Sequence, residues 1–289
     1  MEKELFDIKD TDIRVLVPIK NGPDNPKPRR RSWLWILLAL AILCVLAGAR
    51  VYCLLHQKVI YSSDDTEYTD SVGNKGIVSY MATHDYPAYT QFSDVSVNDI
   101  KLIIYTPIGC HAELLVGPLP YNDRNIILAA QAADYRADNG QISGAFVYKG
   151  ELLSRGHPKY GFCAIIGDSL IMGKSQETVL FERAVEREGY FFRQFSLIHN
   201  SKPGEKLPKG KAIRRALCYY QDRISVIETE GRESMHDFTQ ALMDMGVQES
   251  ISIVGSVSLP LYVDASGKRH IIKSANSENI QETYIVWKK

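Results

Sequence analysis

Residues able to carry acid–base or phosphate chemistry fall in a few short segments of this chain. Asp134 lies in the segment AAQAADY at 129–135, and Asp237 is a second candidate carboxylate. A positioned carboxyl group can act as a general acid or base. Asp134 is about equally explained as the start of a turn that runs on to Gly140, and Asp237 as a charge favoured at a helix N-terminus. We select both as the predicted catalytic residues.

Cationic candidates lie on two strand-like segments. Arg214 and Arg215 are consecutive, and side chains alternate along a strand, so only one of them can face a site. A guanidinium at that position would match phosphate oxygens through two parallel hydrogen bonds. In YFFRQF at 190–195, Arg193 is either an edge-strand residue or part of a groove lining. We favour the groove and predict substrate contacts for Arg193, Arg214 and Arg215.

A glycine-containing loop completes the candidate set. Gly255 and Ser256 follow an apolar segment, and Ser256 is either a small residue at a backbone turn or a nucleophile without a visible base partner. Tyr135, Gly255 and Ser256 are predicted to bind substrate. The sequence has no G-x-S-x-G, P-loop, Rossmann glycine or H-E-x-x-H pattern. No Cys and His pair has zinc-ligand spacing, so we predict no metal site and identify no cofactor. A requirement for a divalent metal stays an open alternative.

Short β-type segments separated by turn residues must position these groups. They are rich in Ile, Val, Tyr and Phe and cover 100–105, 125–130, 144–148, 162–166, 170–173, 190–198, 212–219, 223–228, 250–254 and 283–287. Gly167-Asp168 between two of them predicts a hairpin. Amphipathic helices are predicted over 175–188 and 234–245, the second opened by a capping box of Ser234 and Asp237. The predicted fold is a strand-rich α+β domain.

The N-terminal region predicts a membrane crossing, with the lipid bilayer as a partner. An apolar run at 33–49 resumes at 51–55, which gives about 20 residues, enough for one transmembrane helix over 33–55. Basic residues precede it, so the positive-inside rule places a disordered tail, 1–32, in the cytoplasm, where it could contact another membrane protein. A signal peptide cleaved after Ala49 is the alternative, which the long hydrophilic lead disfavours. A linker over 56–97 and a periplasmic or extracellular domain over 98–289 complete the predicted organisation.

Composition limits the partners and the redox chemistry. The formal net charge is zero, and no Lys/Arg block outside the juxtamembrane cluster provides a phosphate-backbone footprint, so we expect no nucleic-acid partner. Cys110, Cys163 and Cys218 lie in the predicted exported part. Apolar neighbours favour buried thiols for Cys163 and Cys218, and one disulfide with one free thiol is the alternative.

The order of these segments resembles the phosphodiester glycosidases, a family related to the uncovering enzyme that removes N-acetylglucosamine from a phosphodiester on lysosomal glycans. The resemblance runs from about residue 100 to the C-terminus. It rests on features in register, namely AAQAADY (129–135), the hairpin GAFVYKGELLSRG (144–156), the segment Arg214-Arg215-Ala216-Leu217-Cys218, the helix opening at Ser234 and Asp237, and the loop IVGSVS (253–258). Ala133-Asp134-Tyr135 replaces the family's Asn-Gly-Gly-Phe-like turn, and Val254 replaces its aspartate before the glycines.

The resemblance implies hydrolysis of sugar phosphodiesters in a cleft formed by the Asp134-Tyr135 turn, one of the paired arginines and the Gly255-Ser256 loop. Such a hydrolase needs an acid, a carboxylate or water-activating base, and cations for the phosphate. Loss of the loop aspartate supports a second hypothesis, an inactive descendant that binds envelope glycan or an envelope partner. We therefore expect a membrane-anchored hydrolase of glycan phosphodiesters, with the inactive binder as the alternative.

Overall fold

Strands dominate the structure, a computed structural model that describes residues 67–69, 75–80, 87–136, 138–156, 159–205, 207, 209–255, 259–272 and 282–289. In chain order the strands are β1 (Glu67–Thr69), β2 (Lys75–Tyr80), β3 (Tyr89–Val97), β4 (Ile100–Ile108), β5 (His111–Val116), β6 (Ile126–Gln131), β7 (Phe146–Tyr148), β8 (Glu151–Ser154), β9 (Gly161–Ile166), β10 (Ser169–Lys174), β11 (Tyr190–Gln194), β12 (Ser196–His199), β13 (Lys202–Pro203), β14 (Lys211–Tyr220), β15 (Arg223–Ser234), β16 (Glu249–Ile253), β17 (Leu261–Val263), β18 (Arg269–Ile271) and β19 (Thr283–Lys288). The described helices are α1 (Val179–Glu186) and α2 (Met235–Asp244).

These strands form three sheets with antiparallel pairing. The first sheet has the order β1-β2-β10-β9-β11-β7-β8 and the second β13-β12-β16-β14-β15-β4-β3. The third has the order β18-β17-β6-β19-β5. Strands β11 and β12 are separated by one residue, Phe195, yet belong to different sheets. The chain therefore passes from the first sheet to the second at Phe195.

The largest apolar core contains side chains from all three sheets. Among its fully buried members are Met172 and Phe192 from the first sheet, Leu217 and Ile251 from the second, and Leu128, Ile285 and Trp287 from the third. Burial of such side chains is the main favourable contribution to folding, about 25 cal/mol per Å² of apolar surface. The third sheet is thereby fixed against both of the larger sheets.

Each helix covers the other face of one large sheet. Leu180 and Ala184 of α1 pack with Phe162 and Phe191 of the first sheet, whereas the neighbouring Phe192 points to the central core. The same alternation separates neighbouring residues of β14, because side chains leave a strand on opposite faces in turn. Phe238 and Leu242 of α2 pack on the face of the second sheet that points away from the central core.

Tight turns join many of the strands. Both central residues have positive φ at Asn98-Asp99, Lys149-Gly150, Asn200-Ser201 and Gln221-Asp222, the backbone of the two-residue turns that match strand twist. Gly167 has φ 57 in the turn that joins β9 to β10, where Ile166 pairs with Ser169. The predicted hairpin at Gly167-Asp168 is therefore confirmed.

The predicted elements within the described residues are present. Every predicted strand segment overlaps an observed strand, and both predicted helices form. The capping prediction for α2 is also confirmed, since the Asp237 N–H donates to Ser234 Oγ at 3.0 Å. The first helix begins later than predicted, at Val179, because the side chain of Thr178 is its N-cap. Cys110, Cys163 and Cys218 are free and buried, and burial raises the pKa of Cys110 and of Cys218 to about 12.

Two parts of the predicted architecture need correction. The α+β assignment overstated the helices, since three antiparallel sheets and only two short helices make up the described residues. None of the helices in the described part is long and apolar enough to cross a membrane. This contradicts the predicted transmembrane architecture and the single-pass localisation derived from it. The tail 1–32 and the apolar segment 33–55 lie outside the described residues.

The segment 56–97, interpreted as a linker, contains strands β1 and β2 and, at its C-terminal end, β3. Strand β3 pairs with β4 along its whole length, from Tyr89 opposite Ile108 to Val97 opposite Ile100. Most of its side chains are exposed, because it is the edge strand of the second sheet. Edge strands of this kind carry polar residues on both faces and lack the apolar alternation by which strands are predicted.

Close contact at Gly161 allows a stability test. A Cβ there would lie 2.7 Å from Gln194 O and from Ser196 N, whereas the nearest atom to one at Gly231 would be 3.8 Å away. We expect Gly161→Ala to lower the free energy of unfolding by about 1 to 3 kcal/mol through overpacking. We expect Gly231→Ala to leave it unchanged or raise it by up to about 1 kcal/mol. Urea denaturation measures both, and equal effects would contradict the packing.

Candidate functional site

A buried lysine stands where the first sheet meets the second. Lys159 precedes β9 and is only 7% exposed. Its Nζ donates to Gln194 Oε1 at 2.8 Å and to Ser143 O at 3.3 Å, and lies 5.0 Å from the centroid of the Phe195 ring. Lysine is among the residues least often buried. We call Lys159, Gln194, Asp134 and Glu205 the Lys159 cluster.

Electrostatics make this ammonium group unusual. Burial lowers the pKa of Lys159, and the charges of Asp134 and Glu205 oppose that effect. No carboxylate in the described part of the chain forms a direct ion pair with it. The result is a partly desolvated cation whose charge two nearby carboxylates offset only in part, and groups perturbed in this way are common at functional sites.

The Asp134 turn is held firmly although its carboxylate is exposed. The preceding residue, Ala133, donates its N–H to Thr283 Oγ1 at 2.9 Å and accepts from the same hydroxyl at 3.0 Å. Asp134 O accepts from Ser143 N at 2.7 Å, and Ser143 O in turn accepts from Lys159. Burial and the charge of Glu282 raise the pKa of the half-buried Tyr135. The turn therefore has a fixed backbone that is connected to the lysine through Ser143.

The segment 200–205 folds back over β12. Glu205 accepts the Ser196 N–H at 2.6 Å, and its own N–H donates to Ser196 O at 3.0 Å. Lys174 Nζ donates to Gly204 O. Three buried polar atoms have no partner among the described residues, Gln194 Nε2, Ser196 Oγ and Ser175 Oγ. Two of them belong to this region, and buried unsatisfied groups often mark a place for water or a ligand.

Arg215 is fully engaged inside the protein. Its Nε and NH2 donate to Glu228 Oε2 at 2.9 and 2.6 Å, and its NH1 donates to Val254 O at 2.8 Å. The other Glu228 oxygen accepts from Tyr105 OH at 3.0 Å. Of the paired arginines, Arg215 is the one that contacts the loop before Gly255. It positions that loop through a backbone carbonyl.

Gly255 packs against the strand that carries the paired arginines. A Cβ there would lie 2.6 Å from Ile213 O and 2.7 Å from Arg215 N. Only glycine fits at this separation without a backbone shift. The predicted association of the loop with the arginine segment is thus present at Gly255, while Ser256 lies outside the described residues.

The other predicted site residues have contacts of different kinds. Arg214 extends away from Arg215, and its Nε donates to Glu233 O at 2.9 Å. Arg193 lines a groove beside α1 and donates to backbone carbonyls, including Ser175 O at 2.6 Å. Asp237 is exposed, and its Oδ2 accepts from Ser234 Oγ at 2.6 Å. The structure therefore brings Asp134 towards Lys159 and Gly255 towards Arg215, whereas the contacts of Asp237 are those of a helix cap.

Sequence reasoning missed Lys159, Gln194 and Glu205 as members of a cluster. Gln194 lies beside Arg193 in the segment YFFRQF, and Glu205 follows β13. Lys159 directly follows Pro158 in the sequence, and its only sequence signal is its place two residues before an apolar strand. The described residues contain no group of three or more His, Cys, Asp or Glu side chains placed to hold a metal ion.

The fold and the site together define a class, a strand-rich domain of three antiparallel sheets with a cation and carboxylate cluster where the sheets meet. Neither protein-family profiles nor curated protein sequences match the chain. Among solved structures, the catalytic domain of zebrafish N-acetylglucosamine-1-phosphodiester alpha-N-acetylglucosaminidase, auto-inhibited by its pro-peptide, matches with a TM-score of 0.50 and 12% identity. The match covers 74% of this chain and 88% of that one.

A hypothetical protein from Synechocystis also matches, with a TM-score of 0.45 and 12% identity over 71% of this chain and 64% of that chain. At such identities the likeness concerns architecture alone. The match to the zebrafish catalytic domain bears out the predicted resemblance to phosphodiester glycosidases in the fold alone.

The consecutive arginines of β14 give a matched pair of variants. Arg215→Met leaves the Glu228 carboxylate buried without its cation, and breaking such a pair costs about 3 to 5 kcal/mol. Arg214→Met removes bonds to backbone carbonyls from a partly exposed side chain, so we expect a loss of about 1 kcal/mol. Chemical denaturation of both variants measures the difference. Similar losses in free energy of unfolding would show that the Arg215–Glu228 ion pair stabilises the protein no more than the contacts of Arg214 do.

Proposed function

We propose that this protein hydrolyses the glycosidic bond of a sugar phosphodiester, with Lys159 binding the phosphate and Asp134 acting as general acid or base. The observation that carries the proposal is the Lys159 ammonium, buried beside Gln194 with Asp134 in its field. The fold likeness to a phosphodiester glucosaminidase supports the same chemistry. The substrate class we propose is an N-acetylglucosamine phosphodiester, which the name of that neighbour suggests.

Lys159 suits the phosphate because the diester keeps a negative charge throughout the reaction. When the glycosidic bond breaks, the leaving phosphate monoester gains a second negative charge. A cation already in place stabilises that charge without reorganisation, which is the most effective form of electrostatic catalysis. The unpartnered Gln194 Nε2 adds a donor beside the ammonium group.

Asp134 suits the acid–base role better than Glu205. Within the described residues the Asp134 carboxylate is exposed and makes no hydrogen bond, so it is available to a water molecule or a leaving oxygen. Glu205 already accepts the Ser196 N–H, which ties one of its oxygens to the backbone. In hydrolysis, the base takes a proton from water as water attacks the anomeric carbon, and the carbon–oxygen bond to the phosphate breaks.

The role of Asp134 is tested by Asp134→Asn in an assay with a chromogenic N-acetylglucosamine phosphodiester, with and without divalent metal. We expect kcat to fall by roughly two orders of magnitude, the usual contribution of one general acid or base. Asp168→Asn is the matched control, because Asp168 is an exposed turn residue at the opposite end of β9 from Lys159. Activity should change less than about twofold there, as expected for a surface substitution.

The assay also separates the two hypotheses from the sequence. If the protein is an inactive glycan binder, neither the original protein nor Asp134→Asn will release the chromophore, and only glycan affinity will change. Full activity of Asp134→Asn would exclude Asp134 as the acid or base even if the protein is a hydrolase.

The lowered pKa of Lys159 predicts how anion binding depends on pH. The ammonium form binds the phosphate, so affinity is highest below the pKa of Lys159 and falls as pH rises through it. Because burial lowers this pKa, the fall should begin at lower pH than for an exposed lysine, whose pKa is about 10.4. The dissociation constant of a non-hydrolysable phosphodiester, measured between pH 6 and 10, tests this. Lys159→Gln should bind weakly with no such pH dependence, and an unchanged profile in that variant would contradict the assignment.

A further inference from the structure

A groove lies between helix α1 and the first sheet, on the opposite side of β11 from Gln194 and the Lys159 ammonium group. Arg193 and Gln194 are consecutive in β11, so their side chains leave the sheet on opposite faces. Gln194 contacts Lys159, whereas Arg193 lines the groove. The groove has a volume of about 360 Å³, which is within the range of small-molecule sites.

Arg193 is a buried cation without an ion-pair partner in the described residues. It is 8% exposed, and its NH1 donates to Ser175 O at 2.6 Å and to Lys159 O at 3.1 Å. Its NH2 donates to Gln176 O at 3.2 Å. These carbonyl dipoles orient the guanidinium but leave its net charge in place. Burial lowers the pKa of Arg193, and the charges of Glu205 and Glu182 oppose that effect. Buried charges are normally paired, so an anion in the groove would complete this site.

Two further positive features face the same groove. Arg155 lines it, is exposed, and makes no hydrogen bond or ion pair within the described residues. Helix α1 begins there, since its N-cap Thr178 and its first residue Val179 are both in the lining. The N-terminal end of a helix carries partial positive charge and free N–H groups. An acidic group between Arg155 and Arg193 would therefore meet two guanidinium groups and a helix terminus.

The rest of the lining limits what the ligand can be. Phe181 and Ala145 supply apolar surface. Glu177 and Glu182 also line the groove, and they would repel a ligand with acidic groups along its whole length. The ligand should therefore have its negative charge at one end and an apolar body at the other.

We propose that this groove binds a small organic anion, with its phosphate or carboxylate group between Arg155 and Arg193 and its apolar body against Phe181. The site is independent of the proposed hydrolase chemistry, because the groove uses the other face of the first sheet. Arginine binds both kinds of acidic group through parallel hydrogen bonds. Two chemically matched probes, phenyl phosphate and benzoate, distinguish them.

Calorimetric titration of the full-length protein with each probe tests the proposal. We expect saturable binding of at least one probe and a loss of about tenfold in affinity in Arg155→Gln, the effect of removing one charge-assisted contact. Arg183→Gln is the matched control, because Arg183 is an exposed residue of α1 outside the groove lining. Its affinity should stay within about twofold of the original, as for a surface substitution.

A steric variant and a cluster variant complete the test. Ala145→Leu places a larger side chain in the groove and should abolish binding; if it does not fold, Arg155→Glu on the exposed rim replaces it, with the same expected loss. Lys159→Gln should leave probe binding intact. Absence of saturable binding, or equal affinity in the original protein and Arg155→Gln, would overturn the proposal. Binding lost in Lys159→Gln but kept in Arg155→Gln would also overturn it, and would leave the proposed hydrolase site standing.

Discussion

Arg215 and Glu228 face each other across β14 and β15, and their ion pair fixes the centre of the second sheet. The register places Arg215 beside Glu228 on one side and beside Ile253 of β16 on the other. Tyr105 of β4 completes the set through the second oxygen of Glu228. Removing two charges from water costs several kcal/mol per ion, and the pair is tolerable only because further hydrogen bonds satisfy both groups. One side chain therefore holds together the strands that lead to Val254 and Gly255.

The remaining buried cations show how the first sheet joins this frame. The Lys159 carbonyl accepts from Arg193 on one side of β11, while the Lys159 ammonium donates to Gln194 on the other. Residue 159 is therefore fixed through both its backbone and its side chain. Ser252 N donates to Phe195 O at 2.8 Å, which connects the end of β11 to β16. Through these bonds the Lys159 cluster and the Val254-Gly255 segment have defined positions in one backbone framework.

Local pattern was enough to locate both helices and most of the central strands, because runs of β-branched and aromatic residues fill the interiors of the sheets. Several strands were missed, namely β1, β2, β3, β5, β13, β17 and β18. Most of them lie at sheet edges, and β3 and β18 carry many polar residues. Of the proposed site, the resemblance to phosphodiester glycosidases pointed to the Asp134 turn, and it also placed Gly255 near the arginine segment, which it contacts. Lys159 and Glu205 could not be found in this way, because their roles arise from burial and from a loop that folds back on Ser196, and neither is visible in local sequence.

Val254 stands where the resemblance to phosphodiester glycosidases predicts an aspartate. The Val254 carbonyl still accepts from Arg215, so the backbone of this segment stays fixed without the carboxylate. Near Lys159 the negative charge comes from Asp134 and Glu205, on two separate segments. Their combined negative charge offsets only part of the effect of burial, so the pKa of Lys159 stays below its usual value. A bound phosphate adds negative charge next to the ammonium and so raises that pKa. Because linkage is reciprocal, protonation of Lys159 strengthens phosphate binding as much as the phosphate strengthens protonation. Under the proposed function, the cluster with Lys159 protonated is therefore most stable when the phosphate is bound.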